Sequence, residues 1–195
     1  MKRIALAAGM AILSGSAGSA EAHVAGSWGA GLGEGFLHPI GGLDHLLAMT
    51  ALGLWAARMG GRAVWALPLA FLAMMAAGGW LGGAGVPMPW VEAGVAASVI
   101  IFGAAAAFAP RWPVIAGLAL AGFFALQHGH AHGTELPQAA APALFASGFL
   151  AATALLHGAG IALGRWARSH RLGARVARGA GAAVAAAGFL LWLGA

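Results

Sequence analysis

At the start of its first long apolar segment the chain reads His38-Pro39-Ile40-Gly41-Gly42-Leu43-Asp44-His45-Leu46-Leu47-Ala48-Met49. A charge inside a membrane span costs about 3 kcal/mol or more unless it is paired or bound to a metal, so Asp44 beside His45 predicts a functional site. On a straight helix His38 and His45 would share a face but lie about 10 Å apart, too far to hold one ion. Either they are successive binding stations or the helix is not straight, and Pro39 with Gly41-Gly42 favours local unwinding.

The composition around this stretch indicates a polytopic membrane protein. Only 8% of the 195 residues are charged and 61% are hydrophobic, whereas about a quarter of a soluble domain is charged. The sequence pI of about 11.7 would suggest nucleic acid in a soluble protein. Here the arginines lie between apolar segments, and membrane topology explains these positions better than nucleic-acid binding does. No nucleic-acid partner is therefore expected. The chain has no cysteine, so imidazole and carboxylate remain as the main metal ligands.

The chain divides into a leader and one membrane domain. Residues 1–22 have a basic start, a short apolar run and an Ala-x-Ala site, which predict a secretory signal peptide. Residues 23–195 are expected to form a single all-α bundle of about six helices in the lipid bilayer. The predicted helices span about 39–57, 63–82, 91–109, 114–132, 142–164 and 177–194.

The positions of the arginines predict the orientation in the membrane. If the mature N-terminus is exported, every arginine of the mature chain falls in a cytoplasmic connection or beside one. This predicts a bacterial inner-membrane protein with both the mature N-terminus and the C-terminus in the periplasm. Acidic and imidazole side chains then gather at the outer mouth, where they would concentrate cations. The residues expected to capture a metal there are His23, His130, Glu135 and Glu92.

Further candidate metal-binding side chains lie at the end of the predicted fourth helix and within the fifth. His128 and His132 are four residues apart, so a continuous helix places them on one face at a spacing that can chelate one divalent ion. His130 points elsewhere and is expected to serve the loop. A single intramembrane histidine such as His157 is as often a helix-to-helix hydrogen bond as a metal ligand, and both interpretations stay open. Its depth past the middle of the bilayer suits a further station on a transport path.

These motifs resemble the HupE/UreJ family, small membrane proteins associated with hydrogenase and urease maturation and regarded as nickel permeases. The resemblance rests on His38-Pro39-x-x-Gly42-x-Asp44-His45, on the run from His128 to Glu135 and on Leu156-His157-Gly158, in this order. It implies that His38, Asp44 and His45 are the central metal residues and that the histidines of the fourth helix serve the same pathway. The predicted metal residues are His38, Asp44, His45, His128, His132 and His157.

The chemistry of the ligands leaves the ion and the mechanism open. Imidazole and carboxylate suit Ni²⁺, Co²⁺, Zn²⁺ and Cu²⁺, and Ni²⁺ is the ion that the resemblance implies. The metal is expected as cargo rather than as a catalytic cofactor, and no nucleotide-binding loop is present, so a secondary permease is favoured over an enzyme. An intramembrane zinc-dependent hydrolase remains an alternative, although no Ser or Glu stands out as a general base. A non-transporting metal sensor or chaperone partner is another alternative, and a homo-oligomer stays open.

Overall fold

The described part of the chain is a bundle of helices. A computed structural model describes residues 30–109, 112–134 and 141–194, and these contain no β-strand. Their helices are α1 Ala30–Gly41, α2 Leu43–Met59, α3 Ala63–Gly83, α4 Val91–Phe108, α5 Val114–Gly133, α6 Pro142–Ser169 and α7 Gly173–Gly194. The predicted all-α class is confirmed. The predicted signal peptide, residues 1–22, lies outside the described residues.

Most of these helices are suited to a lipid bilayer. Five of them, α3 to α7, are apolar enough to cross a membrane, and with 18 to 28 residues each they match the length of about 20 residues that a span needs. Helices α1 and α2 together make a sixth, broken span that is bent by 78°. Within the described ranges, the predicted bundle of about six membrane helices is therefore confirmed.

Two helices extend further than hydropathy alone indicates. Helix α6 continues past residue 164 to Ser169, and α7 begins at Gly173 rather than at 177. The extra turn of α6 carries Arg168, whose Nη1 donates a hydrogen bond to the carbonyl oxygen of Ala57 at the end of α2. A cation near a helix C-terminus is stabilised by the helix dipole, so the helix persists beyond its apolar stretch.

Glycines allow close helix contact in two pairs, α3 with α5 and α2 with α6. A Cβ built on Gly78 of α3 would collide with the backbone of α5, and one built on Gly129 of α5 would collide with the carbonyl oxygen of Met75. Helices α2 and α6 are equally close where Gly53 faces the carbonyl oxygen of His157. Such backbone-to-backbone approach is what small residues allow between membrane helices. Each of the histidine-bearing helices α2, α5 and α6 is thus packed tightly against one neighbour.

A layer of buried aromatic side chains borders the histidines. The rings of Trp55 from α2 and Phe102 from α4 stack with their centroids 6.2 Å apart, and Phe71 from α3 meets Phe102 at 6.1 Å. All three side chains are fully buried. The centroid of Phe71 lies 5.8 Å from that of His128. The aromatic layer (Trp55, Phe71 and Phe102) therefore borders the site described next through Phe71.

Candidate metal centre

The break between α1 and α2 brings the first two histidines together. Gly42 is the single residue between the helices, with extended backbone angles (φ −82°, ψ 114°). Its N–H still donates to the carbonyl oxygen of His38 at 3.0 Å, so α1 completes its last turn before the chain bends. The bend leaves the ring centroids of His38 and His45 only 6.5 Å apart. Of the two alternatives that the sequence left open, the helix that is not straight is the one observed.

Asp44 fixes the orientation of the His45 ring through two hydrogen bonds. One carboxylate oxygen, Oδ1, accepts hydrogen bonds from the backbone N–H and from Nδ1 of His45, both at 2.8 Å. A Cβ on Gly42 would lie 3.0 Å from that oxygen and 3.4 Å from the ring nitrogen, so glycine provides the room for this pair. The carboxylate is also in the first turn of α2, where the helix dipole stabilises a negative charge. This arrangement directs Nε2 of His45 into the bundle.

Helix α5 supplies two more imidazoles to the same point. Nδ1 of His128 lies 2.9 Å from Nε2 of His45, and Nε2 of His132 lies 2.6 Å from it. The rings of His38 and His132 also touch, with centroids 4.6 Å apart. His45, His128 and His132 are all buried. The histidine cluster, defined here as His38, Asp44, His45, His128 and His132, thus joins residues from α1, α2 and α5.

The three converging nitrogens lie closer together than the ligands of one metal ion would. Two nitrogens bound to one metal at about 2.1 Å would be about 3.4 Å apart in tetrahedral geometry and about 3.0 Å apart in square-planar geometry. The observed 2.6 and 2.9 Å are shorter, and no three His, Asp or Glu side chains in the described ranges form a ready-made coordination shell. The donor set nevertheless fits a divalent transition metal, because separating the imidazoles by less than about 1 Å would make room for one.

Ser98 contacts the cluster and was not predicted from the sequence. Its Oγ lies 2.7 Å from Nε2 of His128 and donates to the carbonyl oxygen of Val95 at 2.6 Å. The side chain is fully buried. A serine carries little metal-binding signal, and the only hint was that Ser98 is, with Glu92, one of two polar side chains in α4.

Aromatic rings from α6 close the cluster on another side. The ring of Phe149 lies 4.5 Å from that of His132 and 6.0 Å from that of His45, and Phe145 lies 5.7 Å from His38, all between centroids. An apolar cavity of about 300 Å³ between α3, α5 and α6 reaches His132 along these phenylalanines. The imidazoles are therefore shielded by apolar groups that offer no competing ligand.

Other predicted residues lie apart from the cluster. Nε2 of His130 donates to the carbonyl oxygen of Val86 at 2.7 Å and so holds the α3–α4 connection. Glu92 is exposed at the start of α4, beside a separate cavity of about 460 Å³ that Trp192 also lines. His23 and Glu135 lie outside the described residues.

His157 occupies a buried position of its own. It lies on α6 with its ring centroid 5.2 Å from that of Phe71, whose other neighbour is His128 at 5.8 Å. Neither ring nitrogen of His157 has a hydrogen-bond partner among the described residues. Phe71 therefore stands between the histidine cluster and a second imidazole. Membership of a metal path stays a prediction for His157, as it does for the cluster.

Comparison with known proteins gives consistent results. The family model described as HupE / UreJ protein matches residues 11–191. Protein HupE from Rhizobium leguminosarum bv. viciae is 46% identical over 175 residues, which cover 90% of this chain and 91% of that protein. No solved structure matches the chain significantly.

Proposed function

The chain belongs to the HupE/UreJ family, and from this premise we propose that it is a secondary permease for a divalent transition-metal cation, with nickel as the expected ion. The cation would move inward across the bacterial inner membrane and supply the maturation of a metalloenzyme such as hydrogenase or urease. The observation that carries this proposal is the convergence of His45, His128 and His132 on one point inside a bundle of membrane-length helices.

Buried imidazoles in a membrane bundle call for a functional explanation. Ionisable side chains within spans are costly and commonly mark ion pathways. The 78° break between α1 and α2 supports the same conclusion, because the binding sites of many transporters form where a spanning helix is interrupted. Asp44 on one side of the break contributes a negative charge, so the site would carry less net positive charge when a divalent ion is bound.

The proposed path has three stages. The ion is gathered at the periplasmic mouth, where His23, Glu92, His130 and Glu135 were expected to act, and it loses part of its hydration shell in the histidine cluster. It then passes the ring of Phe71, which separates His128 from His157 by contacts of 5.8 and 5.2 Å between centroids. The two unpaired nitrogens of His157 offer the next ligands before release to the cytoplasm.

The membrane potential can drive this movement without a nucleotide. Moving a divalent cation to the negative side is favourable by about 4 to 5 kcal/mol per 100 mV. The ligands alone would bind copper more tightly than nickel, so selectivity for nickel must come from the geometry of the cluster and from metal supply.

Transport is favoured over hydrolysis by the environment of the serine. Ser98 does stand beside His128, but its hydroxyl hydrogen is used by the carbonyl oxygen of Val95 and its side chain is fully buried. A nucleophile or general base needs access to a substrate and to water. The position of Ser98 suits the support of an imidazole.

The test is uptake of labelled nickel by metal-starved cells at matched protein levels. We expect His45→Ala to abolish uptake and His170→Ala, which removes an exposed histidine in the α6–α7 connection, to leave it unchanged. Competition by cobalt, zinc and copper ranks the ions. A wild-type chain that moves no metal above background, while the purified protein retains one, would replace the permease with the sensor or the zinc hydrolase.

A further inference from the structure

We propose that Ser98 is a positioning residue that fixes the tautomer of His128, so that Nδ1 rather than Nε2 is the nitrogen offered to the ion. The consequence for transport rests on the proposed function. The tautomer itself can be measured without a metal.

The hydrogen bonds of Ser98 decide which nitrogen of His128 carries the proton. The hydroxyl has one hydrogen and two close neighbours, the carbonyl oxygen of Val95 at 2.6 Å and Nε2 of His128 at 2.7 Å. A carbonyl oxygen only accepts, so this oxygen pair is attractive only if the serine hydrogen lies between them. Nε2 of His128 must then donate its own hydrogen to Oγ. A neutral imidazole carries one N–H, which leaves Nδ1 with its lone pair exposed.

Asp44 fixes the tautomer of His45 in the same way. Because an ionised carboxylate only accepts, Nδ1 of His45 is the donor in the 2.8 Å contact, and Nε2 keeps its lone pair. Without a hydrogen of its own, Nε2 of His45 accepts from Nε2 of His132 in their 2.6 Å contact. No hydrogen is then left for the 2.9 Å gap between Nε2 of His45 and Nδ1 of His128, so two lone-pair nitrogens face each other there. Two lone pairs at that distance repel unless a positive charge lies between them. Both supporting groups thus prepare the imidazoles for a cation.

The tautomer also decides where the ion would sit. Nδ1 is next to the carbon that bears Cβ, whereas Nε2 is at the far side of the ring, so ligation through Nδ1 keeps the ion closer to α5. With the opposite tautomer His128 would point an N–H at the ion and repel it. Supporting partners of metal-binding histidines act in this way elsewhere, and their loss typically lowers metal affinity about 10- to 100-fold.

The experiment uses purified full-length protein with ¹⁵N-labelled histidine, since imidazole ¹⁵N shifts distinguish the two neutral tautomers. The signals of His128 are assigned by their disappearance in His128→Gln. We expect the wild-type protein to show His128 only with the proton on Nε2. Ser98→Ala should populate the other tautomer and weaken nickel binding, measured by calorimetry, about 10- to 100-fold. Ser98→Thr, which keeps a hydroxyl, should restore both.

Ser147→Ala is the matched control, because Ser147 also donates to a backbone carbonyl oxygen, that of Ala143 at 2.7 Å, on the exposed face of α6 and without a histidine. It should behave as wild type in both measurements. A wild-type His128 with its proton on Nδ1 would overturn the proposal, and so would unchanged tautomer and affinity in Ser98→Ala. Loss of affinity in Ser98→Thr equal to that in Ser98→Ala would also overturn it by indicating a packing role. If the tautomer is as expected but no nickel is bound or moved, it is the permease function that fails.

Discussion

Replacing Asp44 with asparagine separates the charge of this residue from its geometry. The asparagine side-chain oxygen can still accept the hydrogen bonds that Oδ1 receives from the backbone N–H and from Nδ1 of His45, both at 2.8 Å. His45 therefore keeps its orientation and its Nε2 lone pair. What is lost is one negative charge behind the imidazole. We expect Asp44→Asn to fold normally and to bind nickel about 10- to 100-fold more weakly.

The magnitude follows from the distances. An ion on Nε2 of His45 would lie about 7 Å from the carboxylate, across a hydrogen bond, the ring and a metal–nitrogen bond of about 2.1 Å. For a divalent ion the attraction at this distance is about 5 kcal/mol at an effective dielectric constant of about 20 and about 1 kcal/mol at about 80. The Asp44 side chain is 35% exposed, which places the value between these limits. A loss of 10- to 100-fold corresponds to about 1.4 to 2.8 kcal/mol, within this interval.

The assay is nickel titration of purified protein by calorimetry at physiological ionic strength. Glu34→Gln is the control, because it removes the same charge from an exposed position on α1. An exposed charge about 10 Å from an ion, in water with a Debye length of about 8 Å, contributes only a few tenths of a kcal/mol. The nickel affinity of Glu34→Gln should therefore change less than about threefold. Equal affinities for Asp44→Asn and wild type, or equal losses in the two variants, would refute the electrostatic role of Asp44.

Three further predictions concern pH, packing and the second imidazole. Uptake should fall as the external pH is lowered from 7.5 to 5.5, because a protonated imidazole has no lone pair for a metal; a flat profile would contradict histidine ligation. Gly129→Ala should lower the free energy of unfolding by about 1 to 3 kcal/mol, because its Cβ would collide with the α3 backbone. In the control Gly158→Ala the Cβ meets open space, so this variant should be neutral or stabilised by up to about 1 kcal/mol. Similar melting temperatures of the two variants would argue against the close contact. His157→Ala should reduce uptake at least about tenfold while nickel affinity at the cluster changes less than about threefold; a parallel loss of both would show that the two sites are one.

Much of the fold follows from local properties of the sequence. The length of the apolar segments alone indicates the membrane spans. In lipid the backbone has no water to hydrogen-bond with, so each such segment forms a helix that satisfies its own hydrogen bonds. Pro39 and the Gly41-Gly42 pair also indicate a weak point near His38. The sequence does not give the angle of 78° at that point, because the angle depends on how α1 packs against α6. Glycines such as Gly35, which faces the backbone of Phe145, determine that packing.

The site is predictable only where its residues are neighbours in sequence. The pairing of Asp44 with His45 and the shared face of His128 and His132 follow from spacing along one helix. The contact between His45 and His128 joins residues 83 positions apart, and that between Ser98 and His128 joins residues 30 apart. Both depend on the register of α2, α4 and α5, which composition does not specify. A serine in an apolar helix gives no sign of this role until its neighbours are known.

The hydrogen bond between His132 and His45 limits how tightly the cluster can bind an ion. A permease must release what it binds, and a site that holds its ion too firmly conducts slowly. To admit an ion, the 2.6 Å hydrogen bond that Nε2 of His132 donates to Nε2 of His45 must open. If this hydrogen bond contributes about 0.5 to 1.5 kcal/mol, its loss weakens binding about 2- to 12-fold. The same hydrogen bond can form again once the ion has left, so His45 and His132 regain a partner without waiting for water or for the next ion. A cluster with such an internal hydrogen bond is therefore better suited to passing a metal on than to storing it, as the proposed permease requires.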